Sequence, residues 1–373
     1  IMAGDLDTVA PVISMCFLTC YGFICLACGL EKWAASPSFR PEFKVPAWVS
    51  LLGAFACAAV MFKLQLLAML AATAVMAAIY VALKRRQVRL TSGDTWGGVW
   101  SEVVRRGIIR LHRRPDDPRN WRPNLLVFAG APAQRTHLLN LGQWIVRESG
   151  LLTNYHLIEG SLDEGNESKA RAEGKDIRRL LSRDAPEVLT HSMVCTDVYE
   201  GIRTAARAAG LPGIRPNSIL LGWTNAPEST EFYVELLRDL VVLDHNLLLL
   251  HHHEVKSFGL QKRIDIWWGG REHNWSLMVL LGTLIQSSEE WESSTVRLCV
   301  VIDSESEAPK ARKRLQRALA RSKLRAETEV FIRQVEEETP FDVIHRESEE
   351  ASLTLLGLRT PDPKEGKEYL SRI

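Results

Sequence analysis

The polar group best placed for chemistry is a tyrosine in the middle of an uncharged apolar run. Tyr21 lies in the run Val9 to Leu30, beside Gly22 and within two helical turns of Ser14 and Thr19. In lipid, a phenol hydroxyl without a hydrogen-bond partner is costly. Two interpretations stay open: Tyr21 is hydrogen-bonded to a neighbouring helix, or its hydroxyl donates to an anion in a protein-lined cavity.

Three other patterns look like chemical sites but have simpler explanations. Cys25-Leu26-Ala27-Cys28 has metal-like spacing, yet it lies in an apolar run without a second pair or a histidine, which favours packing. His251-His252-His253 falls at a strand end, where successive side chains point to opposite faces. Gly130-Ala131-Pro132 follows a strand, where phosphate binds in α/β sheets, but it lacks a glycine-rich fingerprint and favours a tight turn.

No arrangement of side chains argues for catalysis. The sequence offers no convincing Ser/His/Asp, Cys/His or paired-carboxylate set, and its basic residues form no nucleic-acid-binding stripe. The formal net charge of +1 is an average over two different halves. We therefore expect neither an enzyme nor a resident cofactor or metal, and no nucleic-acid partner.

Three uncharged apolar runs begin the chain. A helix of about 20 apolar residues crosses the roughly 30 Å of bilayer hydrocarbon. Residues 1–88 are therefore predicted to be a transmembrane segment in the lipid bilayer, with spans near 9–30, 47–62 and 64–83.

Basic residues set the predicted orientation. Lys84, Arg85, Arg86 and Arg89 crowd the end of the third run, whereas Lys63 alone is charged between the second and third runs. Cytoplasmic loops carry the excess of lysine and arginine. The sequence therefore predicts a multi-pass protein of the cell (inner) membrane, whose chain begins on the outer face and whose C-terminal domain is cytoplasmic.

An amphipathic segment follows the last apolar run. Between Asp94 and Arg114, apolar residues including Trp96 and Trp100 recur at helical spacing. We interpret residues 89–123 as a connector helix and linker. The helix lies against the membrane domain or a partner subunit, or else it is an ordinary helix that covers a sheet.

The rest of the chain alternates short apolar strands with amphipathic helices. This alternation is typical of parallel sheets covered on both faces, with right-handed crossovers. It predicts two doubly wound α/β lobes, at 124–256 and at 257–373, the second of them incomplete. The strand around Trp267 and Trp268 looks like a binding edge, although its alternation also fits tryptophans packed between the lobes.

Exposed apolar features predict self-association. We expect a homodimer with interface residues Trp96, Trp100, Trp267 and Trp268, because a monomer would leave these side chains partly exposed.

Several uncommon blocks, in order, resemble the cation-chloride cotransporter family and its prokaryotic branch in particular. They cover almost the whole chain: Gly4-Asp5-Leu6-Asp7, Val9 to Ser14, Phe17-Leu18, Tyr21, Ser36 to Pro41, Phe43-Lys44, Trp48 to Ala54, Asn120 to Pro123, Gly130 to Pro132, and Arg263 to Trp268.

The resemblance implies the last three spans of a LeuT-like transporter of the amino acid-polyamine-organocation superfamily, whose ions bind near broken helices. It further implies an electroneutral symporter of chloride with potassium and/or sodium, and a cytoplasmic domain of two universal-stress-like lobes that dimerises and regulates transport. By the motif, Tyr21 contributes to a chloride site. The main ion ligands would lie on spans outside this chain, which we expect not to transport alone.

Two other function classes stay open. A permease for amino acids or polyamines would share the helices, and a non-transporting membrane protein could sense a nucleotide through its cytoplasmic domain. The missing phosphate-binding loop argues against the second of these.

Overall fold

The computed structural model describes residues 6–34, 45–64, 66–85, 95–113, 121–130, 135–223, 230–269, 274–320, 324–334, 338–362 and 369. The chain divides into two compact units, Ile1–Pro115 and Asp116–Ile373. Each unit is described separately below.

The first unit is helical. Its helices are α1 (Leu6–Trp33), α2 (Ala47–Leu64), α3 (Leu66–Arg85) and α4 (Thr95–His112). Helices α1 and α2 approach closely where small residues meet. A Cβ atom at Gly29 would lie 2.8 Å from a Leu51 methyl carbon, so only glycine fits this crossing without a shift. Such small-residue contacts are common where membrane helices pack.

Among the residues that the structure describes, two helical segments are long and apolar enough to cross a membrane. They are Ile13–Trp33 and Ala47–Leu64, whereas the apolar part of α3 is the shorter segment Met69–Ile79. The first two predicted spans are therefore matched by membrane-length helices, and the third span stays a prediction. Much of their apolar surface is uncovered, including Phe17, Trp48, Leu52, Phe55 and Phe62.

The first lobe of the second unit is a parallel α/β sheet. In the described residues its strands run in the order β3-β2-β1-β4-β5, all parallel. Its elements are β1 (Asn124–Val127), α5 (Thr136–Val146), β2 (Leu151–Glu159), α6 (Glu164–Asp184), β3 (Val188–Cys195), α7 (Val198–Ala208), β4 (Ser218–Gly222), α8 (Thr230–Val242) and β5 (Asn246–Leu250).

Alternate residues of the central strands bury opposite faces of this sheet. Leu125 and Val127 pack with α5 and α6, whereas Leu126 and Phe128 pack with α7 and α8. A strand covered on both faces reads as a continuous apolar run, as the stretch Leu125 to Ala129 does.

The second lobe repeats the plan. Its described strands are parallel in the order β8-β7-β6-β9. Its elements are β6 (Arg263–Trp267), α9 (Trp275–Gln286), β7 (Thr295–Ile302), α10 (Ala308–Ala320), β8 (Glu327–Ile332), α11 (Pro340–Glu347) and β9 (Leu353–Leu356).

One hydrophobic core joins the lobes. Trp144 of α5 meets the edge of Phe258 at 4.8 Å and the edge of Trp291 at 5.3 Å between ring centroids. The same cluster of buried side chains continues into β6, β7 and α9. The prediction of two parallel-sheet lobes is confirmed, and these lobes share a core.

Helix α11 was not predicted from the sequence. The predicted order of elements therefore placed strands β8 and β9 directly after one another. The helix restores the strand-helix alternation. Its start has a capping box: the Thr339 side chain accepts from the Asp342 backbone amide, and the Asp342 carboxylate accepts from the Thr339 amide.

Candidate functional site

Tyr21 lies in the middle of α1, next to Gly22, which faces Cys57 of α2. Its side chain is 58% exposed, and its ring stacks on Phe17 with centroids 6.3 Å apart. No hydrogen bond to its hydroxyl is formed among the residues that the structure describes. Both interpretations, a hydrogen bond to a neighbouring helix and a hydrogen bond to an anion, therefore stay open. The role of Tyr21 at a chloride site stays a prediction.

Thr19 occupies the other side of the same helix. It is buried, and its hydroxyl donates to the Met15 carbonyl oxygen at 2.7 Å and contacts the Met61 sulfur at 3.9 Å. This internal hydrogen bond satisfies the hydroxyl within α1. Thr19 thus packs between the two helices, whereas the side chain of Tyr21 is largely exposed.

Helix α4 carries an apolar stripe and a charged face. Trp96 is 54% exposed and Trp100 is 66% exposed, and Val103, Val104 and Leu111 extend the same uncovered stripe. Contiguous exposed apolar side chains of this kind are typical of contact surfaces. Trp96 and Trp100 are therefore exposed enough to contact a partner. Their role at an interface stays a prediction.

The charged face of α4 is organised by one buried carboxylate. Glu102 is 4% exposed and accepts from Arg105 Nε at 2.6 Å, Arg105 Nη2 at 2.8 Å and Arg106 Nε at 2.6 Å. Hydrogen bonds from these two guanidinium groups lower the pKa of Glu102 to about 2. The carboxylate is therefore ionised at any physiological pH, and it holds both arginines in place.

The interface prediction for Trp267 and Trp268 needs correction, because both side chains are buried in the second lobe. Their exposed fractions are 3% and 7%. Trp267 packs on Phe331 and donates from Nε1 to Ser348 Oγ at 2.8 Å, while Trp268 packs on Trp275. Central strand β6 is covered on both faces, so its alternating side chains are all interior.

Asp265, in the same strand, belongs to a buried ion pair and is not part of a binding edge. Its carboxylate is fully buried and accepts from Arg297 Nε at 2.9 Å and Nη2 at 2.7 Å. Ser348 Oγ also donates to it at 2.8 Å. This bidentate pairing raises the pKa of Arg297. The network joins β6, β7 and the end of α11.

The turn after β1 is held by a buried asparagine. Gly130 adopts a φ of +67°, a region that glycine enters without strain. Asn154 Oδ1 accepts from the Ala129 amide at 3.3 Å, and its Nδ2 donates to the Gly130 carbonyl at 3.2 Å. The first bond occupies the Ala129 amide, a donor of the kind that a phosphate-binding loop would present. Ala131 and Pro132 of the notable tripeptide lie outside the described residues.

The three successive histidines have separate partners. His252 stacks on His137 of α5 with ring centroids 4.0 Å apart, and His253 Nδ1 accepts from the Val255 and Lys256 amides. Burial lowers the pKa of both His137 and His252. In the described ranges, no group of three or more His, Cys, Asp or Glu side chains is arranged to hold a metal ion. The stack instead ties α5 to the segment that links the lobes.

The chain was compared with known families and solved structures. No family model matches it. It is similar to the crystal structure of a universal stress protein from Archaeoglobus fulgidus DSM 4304, with 12% identity and a TM-score of 0.42, over 65% of this chain and 87% of that chain.

A second similar structure is the crystal structure of the cytoplasmic domain of a prokaryotic cation chloride cotransporter. The identity is 19% and the TM-score is 0.47, over 65% of this chain and 88% of that chain. Both TM-scores lie below 0.5, so the fold is defined here by the strand order and register given above.

Proposed function

We propose that this chain is the C-terminal part of a secondary active transporter, an electroneutral cation-chloride cotransporter with a cytoplasmic regulatory and dimerisation domain. The observation that carries the proposal is the order of parts along the chain. An apolar helix pair of membrane length is followed by an amphipathic helix and then by two parallel-sheet lobes. This is the order that the resembling sequence blocks imply.

The exposed apolar surface of α1 and α2 supports a location in the membrane. A core helix of a soluble protein would have its large side chains covered, but Phe55 and Phe62 of α2 are among the many that are not. Lipid or further membrane helices would cover them. With the basic residues beyond the third apolar run on the cytoplasmic side, the α/β unit is cytoplasmic.

Chloride and a cation, potassium and/or sodium, are the proposed transported ions. Tyr21 supports the chloride part, because its side chain is largely exposed on a helix that would lie inside the membrane. A neutral donor can replace part of the water shell of an anion without placing a full charge in lipid. The cation ligands would come from spans that this chain does not contain.

Ion flux in proteoliposomes tests the proposal. The full-length transporter, reconstituted and loaded with a tracer for potassium or sodium, is expected to show cation uptake that requires chloride and is unaffected by membrane voltage. Uptake of an amino acid or polyamine without any need for chloride would contradict it in favour of a permease. Absence of any flux, with nucleotide binding to the α/β unit, would contradict it in favour of a sensor.

Dimerisation gives a separate prediction at α4. Replacing Trp100 with alanine is expected to raise the dimer dissociation constant roughly 30-fold, since a buried aromatic anchor contributes on the order of 2 kcal/mol. Sedimentation or single-molecule photobleaching of the detergent-solubilised protein would measure this change.

Phe232 supplies the matched control for Trp100. It is an exposed aromatic side chain of α8, and alanine at this position is expected to leave the dissociation constant within twofold. If Trp100→Ala shifts the thermal unfolding transition and leaves dimerisation unchanged, Trp100 is a packing residue and the interface prediction is wrong.

A further inference from the structure

Three arginines of α4 and Arg113, which follows its last residue, form a positively charged groove. Arg105, Arg106, Arg110 and Arg113 surround Ile109, and the groove has a volume of about 550 Å³. All four arginines are exposed. They recur on one side of the helix because spacings of three, four and seven residues return to the same face.

The groove lies at the end of a membrane-length helix. The Arg106 guanidinium is placed 4.8 Å from the centroid of the Trp33 ring, and Trp33 is the last residue of the apolar segment of α1. Gly98 of α4 lies beside Ala34, since a Cβ atom at Gly98 would be in van der Waals contact with the Ala34 Cβ at 3.5 Å. Tryptophans that end a span lie at the level of the lipid headgroups. The arginines are therefore held at headgroup depth.

The groove keeps a net positive charge. Within the described ranges, Glu102 is the acidic side chain that pairs with Arg105 and Arg106, and its one carboxylate offsets one of the four guanidinium groups. Arg110 and Arg113 lie a further two to three turns along the helix from this carboxylate. The planar guanidinium fork matches phosphate oxygens, and Ile109 adds an apolar contact between the charges.

We propose that this groove binds the headgroup of an anionic phospholipid in the cytoplasmic leaflet. This inference rests on the proposed membrane location and orientation. Basic pockets beside membrane helices on the cytoplasmic side recognise anionic headgroups in this way. Trp96 and Trp100 lie about 120° and 160° around α4 from Glu102, at 3.6 residues per turn.

Lipid titration of the purified full-length protein tests this proposal. Dioctanoyl phosphatidylglycerol, dioctanoyl phosphatidylcholine and inorganic phosphate are added to the detergent-solubilised protein, and bound molecules are counted by mass spectrometry of the intact protein. Phosphatidylglycerol is expected to bind at least tenfold more tightly than phosphatidylcholine, and inorganic phosphate more weakly than phosphatidylglycerol.

A double variant, Arg110→Gln with Arg113→Gln, leaves the Glu102 pairs intact. It is expected to weaken phosphatidylglycerol binding roughly 30-fold, which corresponds to about 1 kcal/mol for each arginine removed. Arg312→Gln with Lys313→Gln makes the same charge change on two exposed residues of α10, and should leave binding within twofold.

Three results would overturn the proposal: equal binding of the two lipids, wild-type affinity in the groove variant, or inorganic phosphate binding as tightly as phosphatidylglycerol. Carbonate washing of native membranes separates this failure from that of the proposed function. Release of the protein by the wash contradicts the membrane location itself. Retention in the membrane without a headgroup preference contradicts the lipid groove alone.

Discussion

Replacing Arg297 with methionine is expected to lower the free energy of unfolding of the α/β unit by about 3 kcal/mol or more. The reason is that the substitution leaves the Asp265 carboxylate buried without its main cationic partner. Asp265 is fully buried, and Arg297 supplies two of its hydrogen bonds. The nearest remaining cation, Arg263, has its Nε 3.5 Å from Asp265 Oδ1 and can compensate only in part.

A double variant separates the buried charge from the lost packing. Asp265→Leu combined with Arg297→Met removes both charges, and we expect it to recover at least half of the loss, since apolar replacement of a buried pair is often neutral. Arg171→Met, at an exposed arginine of α6, should change stability by no more than about 0.5 kcal/mol. Urea unfolding followed by tryptophan fluorescence measures all three. A loss below about 1 kcal/mol in Arg297→Met would contradict the argument.

The strands and most helices of the lobes could be predicted because each has a strong local pattern. Strand β4 is built on the apolar run Ile219 to Leu221, and strand β5 on the run Leu247 to Leu250. Central strands of a parallel sheet are buried on both faces, which leaves a short apolar run bounded by polar turns. The helices between the strands could be predicted from their periodic apolar face alone. The alternation of strands and helices then indicated the class of fold.

Helix α11 escaped prediction because its eight residues are too few for an apolar period to repeat. Val343 is fully buried and Ile344 packs beside it, whereas Phe341 is exposed. The signal that could have revealed it is local: Thr339, then Pro340 at the first turn, then Asp342. Trp267 and Trp268 were predicted to lie at an interface because a pair of tryptophans was expected to be partly exposed in a monomer. In the structure, β6 pairs with a strand on each side and is covered on both faces.

Of the two candidate sites, one could be predicted from the sequence and the other could not. Tyr21 was found through a polar group in an apolar run and through the resembling motif around it. The arginine groove was missed, although Glu102, Arg106 and Arg113 recur at helical spacing. Spacing alone could not indicate that this face meets Trp33, because that contact depends on how α4 packs on α1.

Replacing Tyr21 with phenylalanine is expected to raise the chloride concentration for half-maximal flux about tenfold. The change keeps the ring and its stack on Phe17 and removes only the hydroxyl. A hydrogen bond to a charged partner contributes about 1.5–3 kcal/mol, and 1.4 kcal/mol corresponds to a factor of ten. The measurement is cation uptake into proteoliposomes by the full-length transporter over a range of chloride concentrations, with expression and dimerisation near wild type.

Thr19→Val is the matched control, because it also removes one hydroxyl from α1, two residues away and on the side that packs against α2. The Thr19 hydroxyl is already bonded to the Met15 carbonyl oxygen, so its loss should leave the chloride dependence within twofold. A shift in Tyr21→Phe that is absent in Thr19→Val would locate the anion on the outward face of α1. Equal chloride dependence in Tyr21→Phe and the wild type would instead make Tyr21 a tyrosine that packs against lipid or another helix, and the chloride role would be wrong.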